Sequence, residues 1–309
     1  MDDLIIIGCG PAGMSAGIYA ARLGLKTKIF EAKAPGGAMA MANIIENYPG
    51  FPRISGQELT ERMLSQVKAC GAEVIMEGVV SITKTNDHFE ITTDKKNTYK
   101  SKTILIATGG EYKKLGIEGE EKFFGRGVSY CPTCDGPLFK GKNVAVIGGG
   151  DTAVTGAIYL SDICENTYII HRRNEFRAEE SNVQKLKEKN NVQFFLQYIP
   201  LEIKGDQTVK SIRIQNIESG EIKELIVDGV FICVGEIPLT ILAQQLGIKL
   251  TERGEIDVDE NGKTSIQGVW AAGDVTKGPR QIITACAEGV IAAIDIYRYL
   301  KTKPPTIIK

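Results

Sequence analysis

Two apolar segments that each run into a glycine-rich turn dominate the hydrophobic pattern of the chain. Residues 4–7 are continuously apolar, glycines follow at positions 8, 10 and 13, and a stretch of small residues then extends to about Gly24. A strand that is buried on both faces has such an unbroken apolar run, and a helix of small residues can pack closely on it. The segment therefore predicts a strand, a tight turn and a helix.

The same pattern recurs 140 residues later, where residues 144–147 are apolar, Gly148, Gly150 and Ala153 follow, and a helix is predicted from Thr152. Each half also has a polar turn, at residues 94–97 and 219–221, followed by an apolar strand that ends in glycine. This internal repeat predicts an α/β protein with two Rossmann-like, three-layer dinucleotide-binding domains, each with a β-hairpin insertion.

The chain beyond Gly235 has too few predicted strands to form a third domain. It contains one strand-like segment, residues 268–274, and an Ala/Ile-rich helix from about Arg280 to Leu300. We therefore expect this tail to complete the first domain, which is then discontinuous and comprises residues 1–112 and 238–309. The second domain is predicted as an insertion of residues 113–237.

Glycines at this spacing have defined roles in dinucleotide binding. The first permits the tight turn, the second lets the backbone approach a pyrophosphate, and the third small residue lets helix and strand pack closely, while the helix N-terminus offers N–H groups to the anion. One such pattern is a weak signal, but two in register are much stronger. The predicted nucleotide-binding residues of the two turns are Gly8, Gly10, Pro11, Ala12 and Gly13, and Gly148, Gly150, Asp151, Thr152 and Ala153.

The residue at the end of the second strand distinguishes a ribose diol from a 2′-phosphate. In the first repeat this residue is Glu31, whose carboxylate would accept hydrogen bonds from a diol and repel a phosphate. At the same spacing the second repeat has His171, followed by Arg172, Arg173 and, one helical turn on, Arg177. Arginine forks suit a phosphate dianion. We therefore expect FAD or NAD in the first half and NADPH in the second, whereas His171 alone could equally be a surface histidine.

Composition and charge narrow the classes of partner. The chain has 309 residues, 43% of them hydrophobic and 24% charged, with a formal net charge of -1. This balance lacks the excess of Lys and Arg that binding to nucleic acid requires. No basic leader and no apolar run of roughly 18 residues is visible, so we expect no membrane association and a cytoplasmic location.

Seven cysteines are present, and only Cys131 and Cys134 are closely spaced. The other five stand alone and are expected to be reduced, buried thiols: Cys9, Cys70, Cys164, Cys233 and Cys286. The pair could be a redox disulfide, half of a zinc site or part of an ordinary turn. Zinc normally needs further Cys or His ligands, and the only histidines are His88 and His171.

A two-residue spacer lets two sulfurs close a small ring, in which one thiolate is the nucleophile and the other resolves the mixed disulfide. Electron transfer from a flavin fits such a pair. Asp135, next to Cys134, could supply or remove the proton that dithiol chemistry requires, or it could simply form the turn.

Taken together, these motifs resemble those of the low-molecular-weight thioredoxin reductases, in the same order along the full chain. The segments that carry the resemblance are residues 8–13, 46–50, 107–109, 131–136, 148–153, 171–178, 271–274 and 280–281. Several are individually common, but their combination is highly specific.

The resemblance implies a function and further site residues. It implies NADPH-dependent reduction of thioredoxin or a thioredoxin-like protein through FAD, a homodimer, and hinges near residues 112 and 238. In such enzymes the second cysteine, here Cys134, lies nearer the flavin, the first, here Cys131, attacks the protein disulfide, and Asp135 is the acid. The FAD site would also include Gly36, Gly37, Asn47, the backbone near Val80, Thr108, Gly109, Asp274, Arg280 and Gln281.

The chain departs from the family pattern in three places. Ala38 stands where a glutamine is common, Pro132 replaces a more usual alanine, and Thr155-Gly156 replaces a pair of acids. Alternative functions use the same scaffold. NADH or ferredoxin could be the electron donor, or the chain could be a nucleotide-binding redox sensor that turns over negligibly.

Overall fold

The computed structural model describes residues 1–42 and 44–302, which form two compact units. Unit 1 consists of Met1–Glu111 and the chain from Ile237 onward, and unit 2 is Tyr112–Glu236. Residues 303–309, which the predicted first domain includes, lie outside the described residues.

The strands of the described chain, in order, are β1 (Asp2–Ile7), β2 (Thr27–Phe30), β3 (Glu73–Ile75), β4 (Val79–Lys84), β5 (Phe89–Thr93), β6 (Thr98–Ile106), β7 (Gly110–Tyr112), β8 (Val128–Ser129), β9 (Asn143–Ile147), β10 (Asn166–His171), β11 (Val192–Leu196), β12 (Tyr198–Gly205), β13 (Val209–Asn216), β14 (Ile222–Ile226), β15 (Gly229–Ile232), β16 (Glu236–Pro238) and β17 (Val269–Ala271). The α-helices are α1 (Pro11–Arg22), α2 (Gly56–Ala69), α3 (Pro132–Asp135), α4 (Asp151–Ile163), α5 (Glu180–Lys187), α6 (Ile241–Gln245) and α7 (Ile282–Thr302). Short 3₁₀ helices span Gly37–Met41 and Gly136–Phe139.

The sheet of unit 1 has the order β3-β2-β1-β6-β5-β4, and β17 also pairs with β6. The pairs β1–β2, β2–β3, β1–β6 and β6–β17 are parallel, whereas β4–β5 and β5–β6 are antiparallel. The long strand β6 therefore belongs to the parallel core at one end and to the inserted hairpin at the other. The pairing of β17 with β6 brings the C-terminal part of the chain into this sheet.

Helix α1 packs closely on the sheet and on α7 because a glycine lies at each of these contacts. A Cβ at Gly17 of α1 would lie 2.5 Å from Cδ1 of Ile29, and one at Gly289 of α7 would lie 2.1 Å from the carbonyl oxygen of Ala12. Trp270 of β17 is buried beneath α7, where its Nε1 donates to Oδ2 of Asp295 at 2.9 Å.

Unit 2 contains a fully parallel sheet of order β11-β10-β9-β15-β8 and a separate antiparallel sheet of order β12-β13-β14. Hydrophobic clusters lie on both faces of the parallel sheet, one built around α4 and the other beneath the antiparallel strands. Because parallel strands point the same way, the residues that follow β9, β10 and β11 gather at one edge of the sheet.

The predicted fold class, α/β with two dinucleotide-binding domains and hairpin insertions, is confirmed. Three local expectations change. Helix α4 begins at Asp151 rather than Thr152, the C-terminal helix spans Ile282–Thr302, and Arg177 lies in a loop rather than one helical turn from His171. In this loop Phe176 stacks on His171.

Within the described residues, no helix is both long enough and apolar enough to cross a bilayer. The same residues contain no group of three or more His, Cys, Asp or Glu side chains arranged to hold a metal ion.

Candidate functional site

The first glycine-rich turn connects β1 to α1 and leaves an open backbone surface at the N-terminus of the helix. Gly8 has φ +108°, and a Cβ there would lie 2.2 Å from the carbonyl oxygen of Ala107. A Cβ at Gly13 would lie 1.9 Å from the carbonyl oxygen of Gly8. Around Gly10, the N-cap of α1, nothing lies within 4 Å of an added Cβ, and no side chain caps the helix.

Several predicted flavin-site segments meet at this helix N-terminus. The nitrogen of Gly36 donates to the carbonyl oxygen of Cys9 at 2.8 Å, and a Cβ at Gly37 would lie 3.5 Å from Cα of Gly10. A Cβ at Gly273 would lie 3.0 Å from Cβ of Ala12. The structure thus brings together residues from three distant parts of the sequence around Gly10.

Glu31 follows β2 and stabilises the first glycine-rich turn through hydrogen bonds. Its two carboxylate oxygens accept the backbone N–H groups of Cys9 and Lys33, each at 2.9 Å. The carboxylate is therefore fixed beside the turn, and its remaining lone pairs are available to a ribose diol.

Asp274 and Glu288 place two half-buried carboxyls near the start of α1. Burial raises the pKa of Asp274, and the nearby Arg280 guanidinium opposes that shift. Burial also raises the pKa of Glu288, although it accepts the N–H of Gly273 at 2.7 Å and contacts the Thr276 hydroxyl. Glu288, which no sequence motif singles out, therefore holds the segment that carries Asp274.

The segment before α7 is fixed by two further polar contacts. Nη2 of Arg280 donates to Oε1 of the largely buried Glu255 at 3.0 Å, and Nδ2 of Asn47 donates to Oε1 of Gln281 at 3.0 Å. The structure thereby places the predicted residues Asn47 and Gln281 side by side.

Two other predicted elements lie on different segments of unit 1. Thr108 donates from Oγ1 to the carbonyl oxygen of Leu239 at 2.7 Å, and Gly109 accepts the Leu239 N–H at 3.0 Å, so both lie where β6 ends next to Gly8. Val80 lies on β4, is 49% exposed, and its carbonyl oxygen accepts from Nε2 of Gln245 at 3.3 Å.

These features fit a dinucleotide with a pyrophosphate. The uncapped N-terminus of α1 offers backbone N–H groups, Gly10 leaves room for a close approach, and Glu31 offers acceptors at the end of β2. Unit 1 thus has a binding surface suited to a dinucleotide with a free ribose diol, made by residues of β1, α1, β2 and the segment before α7.

The second glycine-rich turn connects β9 to α4 and repeats this geometry. Gly148 has φ +148°, and a Cβ there would lie 2.3 Å from the carbonyl oxygen of Cys233. Gly150, the N-cap of α4, has open space around it and no capping side chain, Ala153 is buried, and Thr152 is exposed. The turn fits a pyrophosphate in the same way as the first.

His171 is buried at 6% exposure and is not a surface residue. A Cβ on Gly149 would lie only 2.2 Å from the imidazole, so the ring rests directly on the glycine turn. The ring also stacks on Phe176, with centroids 5.5 Å apart. Burial lowers the pKa of His171, and its Nε2 donates to the carbonyl oxygen of Glu175 at 3.1 Å. His171 therefore acts as a neutral spacer that supports the arginine loop.

The arginine loop is tied back to the turn through its backbone. The N–H of Arg177 donates to the carbonyl oxygen of Gly149 at 2.7 Å, and that of Glu179 donates to Oδ1 of Asp151 at 2.9 Å. The loop borders a cavity of about 360 Å³ lined by Arg172, Arg173, Asn174, Glu175, Phe176, Arg177, Gln197 and Ile217. Three exposed guanidinium groups thus surround a space of the size and charge that suit a phosphorylated ribose.

Gln197 and Ile217 are two cavity residues that the sequence did not single out. Gln197 follows β11 with φ +62°, its N–H donates to the carbonyl oxygen of Arg173 at 3.2 Å, and its own carbonyl accepts the N–H of Ile217 at 2.8 Å. The position of Gln197 just after β11, the strand that pairs with β10, could have indicated that it lies near the arginine loop. Nothing in the local sequence distinguishes either side chain.

Cys131 and Cys134 form a disulfide with Cα atoms 5.3 Å apart. Cys131 is the N-cap of α3 and is half-buried, whereas Cys134 is exposed. The N–H of Cys134 donates to Sγ of Cys131 at 3.2 Å. An N–H directed at this sulfur would stabilise a Cys131 thiolate once the disulfide is reduced.

Asp135 directly follows Cys134 in the sequence and is half-buried. Its Oδ2 accepts from Oγ of Ser129 at 2.6 Å, and the same hydroxyl oxygen accepts the N–H of Cys131 at 3.0 Å. Burial raises the pKa of Asp135, while the Ser129 hydrogen bond opposes the shift. The carboxyl can therefore hold a proton at a higher pH than a surface aspartate can.

The remaining cysteines are free thiols, and all are buried except the half-buried Cys70, for which the expectation of burial was wrong. Burial raises the pKa of Cys9 and Cys233 to about 12 and that of Cys164 to about 11. These thiols carry essentially no thiolate at neutral pH and are poor nucleophiles.

Two dinucleotide turns and a disulfide in one chain define an oxidoreductase that couples nucleotides to thiol chemistry. Comparison with known proteins gives the family: residues 2–289 match the pyridine nucleotide-disulphide oxidoreductase model, and the chain belongs to this family. It is 41% identical to the thioredoxin reductase of Helicobacter pylori (strain J99) over 309 residues, which span 97% of this chain and 99% of that protein. It is 38% identical to the thioredoxin reductase of Bacillus subtilis (strain 168), over 99% of this chain and 96% of that protein.

A solved structure is similar throughout. The crystal structure of thioredoxin reductase from Streptococcus pyogenes MGAS5005 superposes with a TM-score of 0.93 at 40% identity, covering 97% of this chain and 98% of that one. The resemblance that the motifs indicated is therefore confirmed.

Proposed function

We propose that this protein is a thioredoxin-disulfide reductase that uses NADPH and FAD. The observation that carries the proposal is the Cys131–Cys134 disulfide in a chain that also has two dinucleotide-binding turns. The names of the relatives at about 40% identity support thioredoxin as the substrate.

The two turns are assigned by the residues that follow their second strands. Unit 1 binds FAD through the cradle at Gly10, with Glu31 at the ribose. Unit 2 binds NADPH at Gly150, with Arg172, Arg173 and Arg177 around the 2′-phosphate. The charges of the two sites decide which nucleotide binds where. A carboxylate in unit 1 repels the 2′-phosphate of NADPH, whereas the guanidinium groups in unit 2 bind it.

In this reaction NADPH and one proton reduce the enzyme disulfide to a dithiol. When bound, FAD supplies the redox chemistry that links a hydride donor to a disulfide. The chain's own residues then do the thiol chemistry. Cys131 attacks the disulfide of thioredoxin as a thiolate stabilised by the Cys134 N–H, and Cys134 resolves the mixed disulfide.

Asp135 is the proton donor in this thiol–disulfide exchange. Its raised pKa keeps the carboxyl available as an acid, and the Ser129 hydroxyl fixes its orientation. We assign Asp135 the role of the group that delivers a proton when a thiolate leaves.

The decisive experiment is an anaerobic titration of the flavin absorbance with NADPH and with NADH, on wild type and on Cys134→Ser. Wild type should consume about two equivalents of NADPH and the variant about one, because flavin and disulfide each accept two electrons. NADH should bind much more weakly. Failure of NADPH to bleach the flavin would instead favour NADH or ferredoxin as the donor.

A turnover assay with thioredoxin completes the test. A reductase sustains NADPH oxidation in the presence of excess thioredoxin, whereas a redox sensor is reduced once and stops. We also propose, from the family resemblance, a homodimer in the cytoplasm, and light scattering of the purified chain tests the dimer.

A further inference from the structure

The residue that follows the first redox cysteine is pressed against the nucleotide-binding helix of its own unit. Pro132 is buried and begins α3. It packs on α4 at Gly156, where an added Cβ would lie 2.7 Å from Cγ and 3.1 Å from Cβ of Pro132. The ring therefore fills the space that any other side chain at position 156 would need.

The other end of the cysteine turn is held on the same helix. A Cβ at Gly136 would lie 2.8 Å from Cε1 of Tyr159 and 3.0 Å from Cδ2 of Leu160, both on α4. Both ends of the cysteine turn, Pro132 and Gly136, therefore contact α4 closely.

Glycine inside a helix costs stability, because it loses more backbone entropy than alanine does. Gly156 is buried in the interior of α4, and no positive φ requires glycine there. The Pro132 ring gives the physical reason for this glycine. Two sequence peculiarities that are 24 residues apart are therefore one packing feature.

We propose that Pro132 and Gly156 are a matched pair of positioning residues that holds the two cysteines in the geometry of the closed disulfide ring. The proline fixes φ, and its seat on Gly156 restrains the whole turn. In the dithiol state this restraint removes conformations in which the sulfurs lie far apart. Ring closure then costs less entropy, so the equilibrium shifts towards the disulfide and the reduced pair becomes a stronger reductant.

This inference rests on the proposed function only in that the pair must be reversibly reducible. The relevant exchange is balanced: the Cys131–Cys134 S–S bond breaks, the S–S bond of oxidised dithiothreitol forms, and two electrons and two protons pass to the protein thiols. The equilibrium constant is measured on the full-length flavoprotein in dithiothreitol redox buffers, by differential alkylation and mass spectrometry of the peptide that contains both cysteines.

Four proteins form a double-mutant cycle: wild type, Pro132→Ala, Gly156→Ala and the double variant. Pro132→Ala should favour the dithiol by about five- to tenfold, which corresponds to a potential roughly 20–30 mV less negative. Gly156→Ala should give a similar shift in the wild-type background, because the new methyl group displaces the proline ring.

In the Pro132→Ala background, Gly156→Ala should change the constant by less than about twofold. The alanine side chain at position 132 retains only a Cβ, 3.1 Å from the new methyl position, and a shift of a few tenths of an ångström relieves that contact. Thr155→Ala, which changes an exposed neighbour on α4, is the matched control and should leave the constant unchanged.

The cycle separates this inference from the proposed function. An unchanged constant in Pro132→Ala, or the same effect of Gly156→Ala in both backgrounds, would overturn the matched pair while thioredoxin turnover persists. A wild-type pair that never equilibrates with the buffer would overturn both.

Discussion

Replacement of Arg177 by alanine tests the nucleotide assignment of unit 2 most directly. The loop is anchored by the Arg177 backbone N–H to the carbonyl oxygen of Gly149, not by the guanidinium, so the substitution should leave the loop in place. What it removes is one of three cations around the cavity of about 360 Å³.

The magnitude follows from the exposure of the group. A hydrogen bond to a charged partner contributes about 1.5–3 kcal/mol, and solvent screening of the exposed Arg177 places it at the lower end. About 1.5 kcal/mol corresponds to roughly a tenfold rise in KM for NADPH. NADH has a hydroxyl in place of the 2′-phosphate, so its KM should stay within about twofold, as should kcat with either nucleotide.

Steady-state reduction of a disulfide dye with NADPH and NADH measures all four parameters. Lys185→Ala, which removes an exposed lysine of α5 outside the cavity, is the control for loss of a positive charge. An equal loss for both nucleotides would mean that the loop had moved, and an unchanged KM for NADPH would refute the phosphate site. Added salt should weaken NADPH binding more in wild type than in the variant.

Three further outcomes are expected. Burial raises the pKa of Asp135, so wild type should lose stability relative to Asp135→Asn as pH rises through that pKa. The variant should therefore have a higher melting temperature at pH 7 but not at about pH 4. An equal difference in melting temperature at both pH values would contradict this. Gly150→Ala should raise KM for NADPH and change the free energy of unfolding by no more than about 0.5 kcal/mol. Gly148→Ala should destabilise the protein strongly, because its Cβ would lie 2.3 Å from a carbonyl oxygen. Equal melting temperatures for the two variants would be inconsistent with the turn geometry. Glu255→Ala removes the carboxylate that binds Arg280. The variant should have a free energy of unfolding lower by about 1–3 kcal/mol and should release flavin fluorescence sooner on heating. No change in either quantity would argue against a stabilising role for the Arg280–Glu255 contact.

The local elements and their repeat could be predicted because they depend on short-range chemistry. An apolar run, a glycine that permits a positive φ and a helix of small residues follow one another directly along the chain, so Gly8 and Gly148 mark their turns. Register alone then related Glu31 to His171, since equivalent strands have equivalent lengths. The same register could not reveal that the imidazole lies on Gly149, which depends on side-chain packing.

Contacts between residues far apart in the sequence were beyond prediction. Ser129, Gln197 and Glu288 orient site residues through hydrogen bonds, but serine, glutamine and glutamate are ordinary residues whose role depends on what folding places beside them. No local pattern distinguishes them from solvated side chains.

The sequence by itself determined the two nucleotide turns, the charge that differs between them and the presence of a closely spaced cysteine pair. Only the tertiary structure decided that the arginine loop is pinned to its glycine turn and that Pro132 rests on Gly156. The reason is physical: spacing and residue type fix local backbone geometry, whereas close packing of distant segments is set only when the hydrophobic core brings them within van der Waals distance.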